Sequence, residues 1–143
     1  MRLITKVKLD QSQPPYSGDI FMLEYILALA IAIWGIVPPL PISVEFYDNP
    51  QAPNAQAGCV ETECFIGIQQ SWWDAASDDY RLGTMLHEVG HTYGLNHYGS
   101  CNYNLSVMGC PAIPYVTDYD RVELAVSQGT AYSLIVDVSY DGQ

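Results

Sequence analysis

All three histidines of this 143-residue chain fall within eleven consecutive positions, in the stretch HEVGHTYGLNH. His87 and His91 are four residues apart, so on an α-helix their imidazoles project from one face, one turn from each other. His97 follows six residues later, where a straight helix would not bring it to the same place. Gly94 lies between His91 and His97, and glycine adopts the left-handed conformation at a helix end with little penalty. The spacing therefore predicts a helix that stops at Gly94 and a turn that brings His97 back toward the other two.

Three imidazoles that meet at one point form a ligand set for zinc, and three protein ligands leave a fourth coordination position open for water. Glu88 directly follows the first histidine, where its carboxylate can reach that water. We therefore predict one catalytic Zn²⁺ held by His87, His91 and His97, with Glu88 as the catalytic residue. Whether the chain also binds calcium is left open by the sequence.

These residues match all five specified positions of H-E-x-x-H-x-x-G-x-x-H, and the chain resembles the metzincin clan of zinc metalloendopeptidases. The upstream stretch AIWGIVPPLPISVEF is similar to matrix metalloproteinases, in which a helix that ends in Trp precedes a strand. The small size is similar to the snapalysins, although their third ligand is Asp. The resemblance implies an α+β, metzincin-like (zincin) fold. Its parts would be a twisted, mostly parallel sheet with an antiparallel edge strand, a backing helix, an active-site helix, and a small C-terminal subdomain with a Met-turn and a helix.

The resemblance also implies roles for residues outside the zinc signature. Met108, eleven residues after His97, would form the methionine turn beneath the metal. Cys110 stands where astacins and serralysins carry a tyrosine, so no tyrosine ligand is expected. Residues 65–71 would be the antiparallel strand at the cleft rim, and Tyr115 would line the substrate pocket. The rim strand contributes four further pocket candidates, which are Phe65, Ile66, Gly67 and Ile68.

The rest of the chain predicts one domain over 1–143, with an N-terminal subdomain to about residue 94 and a C-terminal one over about 95–143. Alternating or β-branched segments predict strands, and apolar residues at helical spacing predict helices. Turn-forming residues predict a surface loop. The predicted strands are 3–10, 42–48, 64–73 and 132–140, the helices are 20–37, 80–93 and 119–129, and the loop is 49–58.

The segment IFMLEYILALAIAIWGIV, residues 20–37, is nearly apolar and has the minimum length of a membrane span. A signal peptide is a second reading, because AIA is typical of a cleavage site. Glu24 within the run and the strand-like residues before it favour a buried core helix instead. We therefore expect no membrane association.

Four cysteines occur as two close pairs, which suggests the disulfides Cys59–Cys64 and Cys101–Cys110. Four reduced thiols in a cytosolic protein are the alternative. Two disulfides would favour an extracellular or secreted location.

Sixteen acidic against five basic residues give a formal net charge of −11, which excludes a basic footprint for nucleic acid. The expected function is zinc-dependent endopeptidase activity, in which Glu88 acts as general base toward a zinc-activated water and a peptide or protein is the substrate. The alternative is a metzincin-fold binding or structural module, for example part of a larger assembly or virion, with little or no peptidase activity. The oligomeric state is not predicted.

Overall fold

The computed structural model describes residues 5–7, 18–97, 106–109 and 112–127 of the chain. Within these ranges the protein is a mixed α+β fold, as the sequence predicted. In chain order the elements are β1 (Thr5–Val7), α1 (Gly18–Trp34), β2 (Ile42–Tyr47), β3 (Ala55–Cys59), β4 (Cys64–Gln69), α2 (Gln70–Ala75), α3 (Asp78–Thr92) and α4 (Asp118–Ser127). The predicted strand over 132–140 lies outside the described residues. Among the helices within them, none has the length and apolar character that crossing a membrane would need.

The four strands form one sheet in the order β1-β2-β4-β3. β1 pairs with β2, and β2 with β4, in parallel, whereas β3 is antiparallel to β4 and lies at the sheet edge. The prediction that residues 65–71 form the antiparallel edge strand is therefore wrong. β4 lies inside the sheet, and its residues pair with β2 on one side and with β3 on the other.

The antiparallel edge strand, β3, overlaps the segment 49–58, which turn-forming residues led us to predict as a loop. Its sequence, Ala-Gln-Ala-Gly-Cys, has no β-branched or aromatic residue, so local propensity does not favour a strand. β3 forms because it folds back on β4 as a hairpin, in which Ala55 opposes Ile68 and Cys59 opposes Cys64. The predicted disulfide between Cys59 and Cys64 closes this hairpin. Residues 101 and 110, the second predicted pair, lie outside the described residues.

A second difference concerns the end of β4. The predicted strand over 64–73 stops at Gln69, and the two tryptophans that follow belong to the short helix α2. The side chain of Gln69 is buried and turns toward the loop before β3, where it accepts a hydrogen bond from the main-chain N–H of Asn49 and donates one to its carbonyl. The end of β4 therefore fixes the loop that leads into the edge strand.

One face of the sheet carries the core. Ile42 and Val44 on β2, with Ile66 and Ile68 on β4, are almost completely buried against α1 and α3. Apolar side chains from the sheet, α1 and α3, which are far apart in the chain, are buried together at this face. Such burial is the main source of stability in a domain of this size. The predicted core helix is thus found at α1, although its bounds are Gly18–Trp34.

Trp34 joins α1 to the histidine-bearing helix. Its ring is fully buried and meets the ring of Tyr93 edge-on, with 5.4 Å between ring centroids. Its indole Nε1–H donates a 2.9 Å hydrogen bond to the carbonyl of Leu86, one residue before the first histidine.

The C-terminal end of α1 contacts α4. Gly35, at φ +87°, ends α1, and the guanidinium of Arg121 on α4 donates to the carbonyls of Ile33 and Trp34. A cation at this position also interacts favourably with the negative end of the helix dipole.

The disulfide gives a direct test of the hairpin. The bond joins residues five positions apart, and closing so short a loop should stabilise the protein by about 2 kcal/mol in the chain-entropy model. We expect the double variant Cys59→Ala/Cys64→Ala to lose about this free energy of unfolding, measured with urea. Adding reductant to that variant reports the effect of the remaining cysteines. Equal stability of variant and wild type would contradict a stabilising disulfide in this hairpin.

Candidate metal centre

The three histidines come together at the C-terminal end of α3. His87 and His91 lie on one face of the helix, and His97 follows the turn that ends it. One ring nitrogen from each residue lies within 4.8 Å of the others, and the ring centroids are 4.8–5.1 Å apart. His97 is exposed, so the cluster is accessible from solvent. This group could hold a metal ion.

The turn that brings His97 into the cluster is built around Gly94. Gly94 has φ +96°, a left-handed conformation that residues with a side chain rarely adopt. Its N–H donates to the carbonyl of His91 at 3.0 Å, and the N–H of Leu95 donates to the carbonyl of Gly90 at 3.1 Å. This pair of hydrogen bonds defines a Schellman motif, which satisfies the carbonyls at the end of the helix and reverses the chain. The buried side chain of Leu95 holds the turn against the core.

Two main-chain carbonyls fix the orientation of the first two imidazoles. Nδ1 of His87 lies 2.9 Å from the carbonyl oxygen of Val107, and Nδ1 of His91 lies 2.8 Å from that of Leu95. Because a carbonyl can only accept, each Nδ1 must carry the proton and donate. The lone pair of each Nε2 is therefore free for a metal ion, which is the arrangement that oriented histidine ligands typically have.

Burial keeps these two imidazoles neutral. Desolvation lowers the pKa of His87 to about 4, assisted by the nearby His91 and His97 and opposed by the hydrogen bond to Val107. Desolvation also lowers the pKa of His91, opposed by its hydrogen bond to Leu95 and assisted by His97. A neutral imidazole is the form that binds a metal ion, so both rings are ready to bind one at neutral pH.

Glu88 directly follows His87 on α3 and is buried beside the histidine cluster. Its side chain is only 6 % exposed, and its Oε1 atom has no hydrogen-bond partner among the residues that the structure describes. Burial raises the pKa of Glu88 to about 7. A buried carboxylate oxygen without a partner is costly, so such a group usually serves a ligand or a reaction. Near neutral pH this carboxyl can both accept and release a proton.

Met108 packs directly beneath α3, and a glycine of the histidine motif makes room for it. A Cβ atom built on Gly90 would lie 2.4 Å from the sulfur of Met108 and 3.2 Å from the ring of Trp34. Any side chain at position 90 would therefore displace one or both. The sequence analysis did not single out Gly90, because its role depends on contacts with residues far away in the chain.

Asp120 is a second residue that the sequence analysis missed. It is 1 % exposed, and its carboxylate accepts from the hydroxyl of Ser106 at 2.6 Å and from the N–H of Val107 at 2.9 Å. It also accepts from the N–H of Thr117, whose hydroxyl in turn accepts from the N–H of Asp120. This reciprocal pair is a capping box at the start of α4. Asp120 therefore connects α4 to the segment whose Val107 carbonyl orients His87.

A cleft of about 480 Å³ opens beside the histidines, between the edge strand β3 and the turn that carries His97. The pocket residues predicted on β4 do not border it. Phe65 is exposed and lies over Gly58 of β3 on the sheet face opposite the core, whereas Ile66 and Ile68 belong to the core. Gly67 lies under the ring of Tyr47. Tyr115 is 52 % exposed and is not among the residues that line this cleft.

Neither a scan against protein-family models nor a search of curated proteins finds a match to this chain.

The Asp120 carboxylate offers a test of how the centre is supported. We expect Asp120→Ala to lower the free energy of unfolding by about 3 kcal/mol or more, because a buried N–H, a half-buried N–H and a buried hydroxyl lose their acceptor. Asp120→Asn, which keeps one acceptor oxygen, should cost about 1–2 kcal/mol. The matched control is Asp118→Asn in the same helical turn, where the side chain is exposed and the change should stay within about 0.5 kcal/mol. Urea unfolding checks all three, and equal losses at both positions would contradict the bridging role.

Proposed function

We propose that the chain is a zinc-dependent endopeptidase of the metzincin type. The observation that carries the proposal is the buried Oε1 of Glu88, without a hydrogen-bond partner in the described part of the chain, beside three imidazoles whose ligand atoms lie within 4.8 Å of one another. The five matched positions of the sequence signature support it. Further support comes from the position of Met108 beneath α3 and from the mixed sheet with an antiparallel edge strand.

The donor set favours zinc. Three imidazole ligands suit Zn²⁺ better than Mg²⁺ or Ca²⁺, which prefer oxygen ligands, and a set of three leaves a position for water or substrate. His87, His91 and His97 would hold the ion through nitrogen atoms. When bound, zinc supplies Lewis acidity, which polarises a peptide carbonyl and lowers the pKa of water.

Glu88 supplies the proton transfer in this proposal. Its carboxylate accepts the proton of the attacking water as the water oxygen bonds to the carbonyl carbon of the substrate. The same carboxyl then gives that proton to the amide nitrogen as the carbon–nitrogen bond breaks. The raised pKa of Glu88, about 7 because of burial, suits both steps near neutral pH.

The edge strand provides a binding mode for an extended peptide. Among the described residues, β3 pairs only with β4, and its other side is the edge of the sheet next to the cleft. A substrate strand could add to this edge through main-chain hydrogen bonds. This role replaces the one expected for residues 65–71, because the main chain of β4 is already paired on both sides.

The disulfide bears on where such an enzyme would act. Disulfides form and persist in oxidising compartments, and Cys59 and Cys64 are joined by one. The disulfide therefore supports the proposal of an extracellular or secreted peptidase, whose substrates would be peptides or proteins.

Two substitutions separate metal binding from catalysis. We expect Glu88→Gln to retain about one zinc per chain and to lose about 10²- to 10⁴-fold in turnover of a fluorogenic peptide, because the proton acceptor is removed while the three histidines remain. His91→Ala should lose zinc and activity together, because two imidazoles hold zinc poorly. The matched control is Glu24→Gln on the exposed side of α1, which should change neither quantity.

The outcomes are distinct. Near-normal turnover in Glu88→Gln would overturn the assigned proton transfer. Wild-type protein that binds zinc but hydrolyses no member of a broad peptide library would instead favour a metal-containing binding module.

A further inference from the structure

Helix α1 is apolar on its outer side as well as on the side that it buries. Its inner side, which includes Leu27 and Trp34, is fully buried in the core. On the outer side Met22 is 41 % exposed and Tyr25 is 62 % exposed. Residues at i, i+3 and i+4 share one face of a helix, and at this spacing the half-buried Leu29 and Ile33 continue the same stripe. The outer stripe of α1 therefore consists of Met22, Tyr25, Leu29 and Ile33.

A stripe of this kind calls for a cover, because a helix that is apolar all round is typical of a buried position. The formal net charge of −11 opposes the close approach of a second copy of the chain. The same charge opposes binding to an anionic membrane surface. Both considerations favour a cover that the chain itself supplies.

The chain contains a segment with a suitable composition. Residues 128–143 follow α4 and lie outside the described residues. They include Tyr-Ser-Leu-Ile-Val-Asp-Val-Ser-Tyr, the predicted strand over 132–140, in which six of nine residues are apolar. Side chains alternate between the two faces of a strand, so this pattern assigns Leu134, Val136 and Val138 to one face. Asp137 and both serines fall on the other.

Helix α4 ends close to the C-terminal end of α1, so this segment starts near the stripe. The hydroxyl of Ser127, the last residue of α4, donates to the carbonyl of Tyr93 at 3.3 Å. The hydroxyl of Tyr93 donates in turn to the carbonyl of Ile36, two residues after α1, at 2.9 Å. Residues 128–131 connect Ser127 to the predicted strand, and four extended residues span at most about 14 Å. The predicted strand therefore begins within reach of the C-terminal end of the stripe.

An added strand also needs partners for its main-chain N–H and carbonyl groups. In the described part of the chain, β1 is one edge of the sheet and pairs only with β2. Helix α1 contacts both of these strands. A strand that paired with the open edge of β1 would therefore lie beside α1 and would have its main chain satisfied.

We propose that residues 132–140 add a strand at the open edge of β1 and pack their apolar face on the outer stripe of α1. The occupant of the stripe is thus a segment of the same chain. The inference goes beyond the proposed function and does not depend on it, because neither the stripe nor this segment includes a residue of the metal centre.

A photoreactive side chain in the full-length protein tests this placement directly. In Tyr25→p-benzoylphenylalanine protein, the excited ketone removes a hydrogen atom from a neighbouring C–H bond, and the two carbon atoms then join. Mass spectrometry of the digested protein identifies the residues joined, and an equal mixture of ¹⁵N-labelled and unlabelled protein separates links within a chain from links between chains. We expect the main product to join position 25 to residues 132–140 of the same chain.

The matched control places the same photoreactive group on the other face of the sheet. Phe65 is 48 % exposed there, over Gly58, and two strands separate its neighbour β3 from β1. Phe65→p-benzoylphenylalanine protein should therefore give no link to residues 132–140. Urea unfolding establishes that both variants are folded.

Substitutions within the segment test whether its apolar face is buried. We expect Val136→Asp to lower the urea midpoint of unfolding by about 1 M, because it places a charge in an apolar contact. Ser139→Asp, on the other face, should leave the midpoint unchanged. Val136→Ala is a milder change for the case in which Val136→Asp does not fold. Its effect should fall to about half or less in a Tyr25→Ala background, because the contact is already lost there.

The other outcomes identify other occupants. Links from position 25 that form only between chains would assign the stripe to a second copy and overturn the proposal. Wild-type protein that sediments with neutral phosphatidylcholine vesicles would assign it to a membrane surface and overturn the proposal as well. Folded Tyr25→p-benzoylphenylalanine protein without a link to residues 132–140, or equal midpoints for Val136→Asp and wild type, would also contradict it. Hydrolysis of peptides is measured separately, so its failure would leave this placement intact.

Discussion

The absence of a side chain at Gly90 is the constraint on which the centre depends. On one side of this position lies the ring of Trp34, and on another the sulfur of Met108, so a Cβ atom here would press on the ring and displace the sulfur. At the level of Gly90, α3 can therefore pack against both α1 and the 106–109 segment. The same helix carries His87 and His91 to the metal centre, and His91 also lines the cleft. Dense packing of this kind leaves a helix little freedom to shift, so it also fixes where the imidazoles point.

The parts of the site that follow from local chemistry could be predicted from the sequence. The i, i+4 spacing of His87 and His91 predicted a helix, and α3 covers Asp78–Thr92 against the predicted 80–93. Gly94 predicted a left-handed turn, and its φ of +96° lies in that region. In both cases the outcome depends on residues within a few positions of one another, so a single sequence carries enough information.

The parts that depend on distant contacts could not be predicted in the same way. β3 has weak strand propensity and forms through its pairing with β4, so the sequence pattern placed the cleft rim one strand too far along the chain. Asp120 is buried because it accepts hydrogen bonds from Ser106 and Val107, which nothing near it in the sequence indicates. The Thr-x-x-Asp spacing of its capping box is a partial signal, because this spacing is typical of helix N-termini.

Asp120 also links the stability of one helix to the occupancy of the centre. One carboxylate caps α4 and holds Val107, whose carbonyl orients His87. Thermodynamic reciprocity then applies: if an intact α4 favours metal binding, metal binding must favour an intact α4 by the same free energy. The amide protons of α4 should therefore exchange with solvent more slowly when the metal is bound, although the helix contributes no ligand. A helix that touches no substrate would in this way report whether the centre is filled.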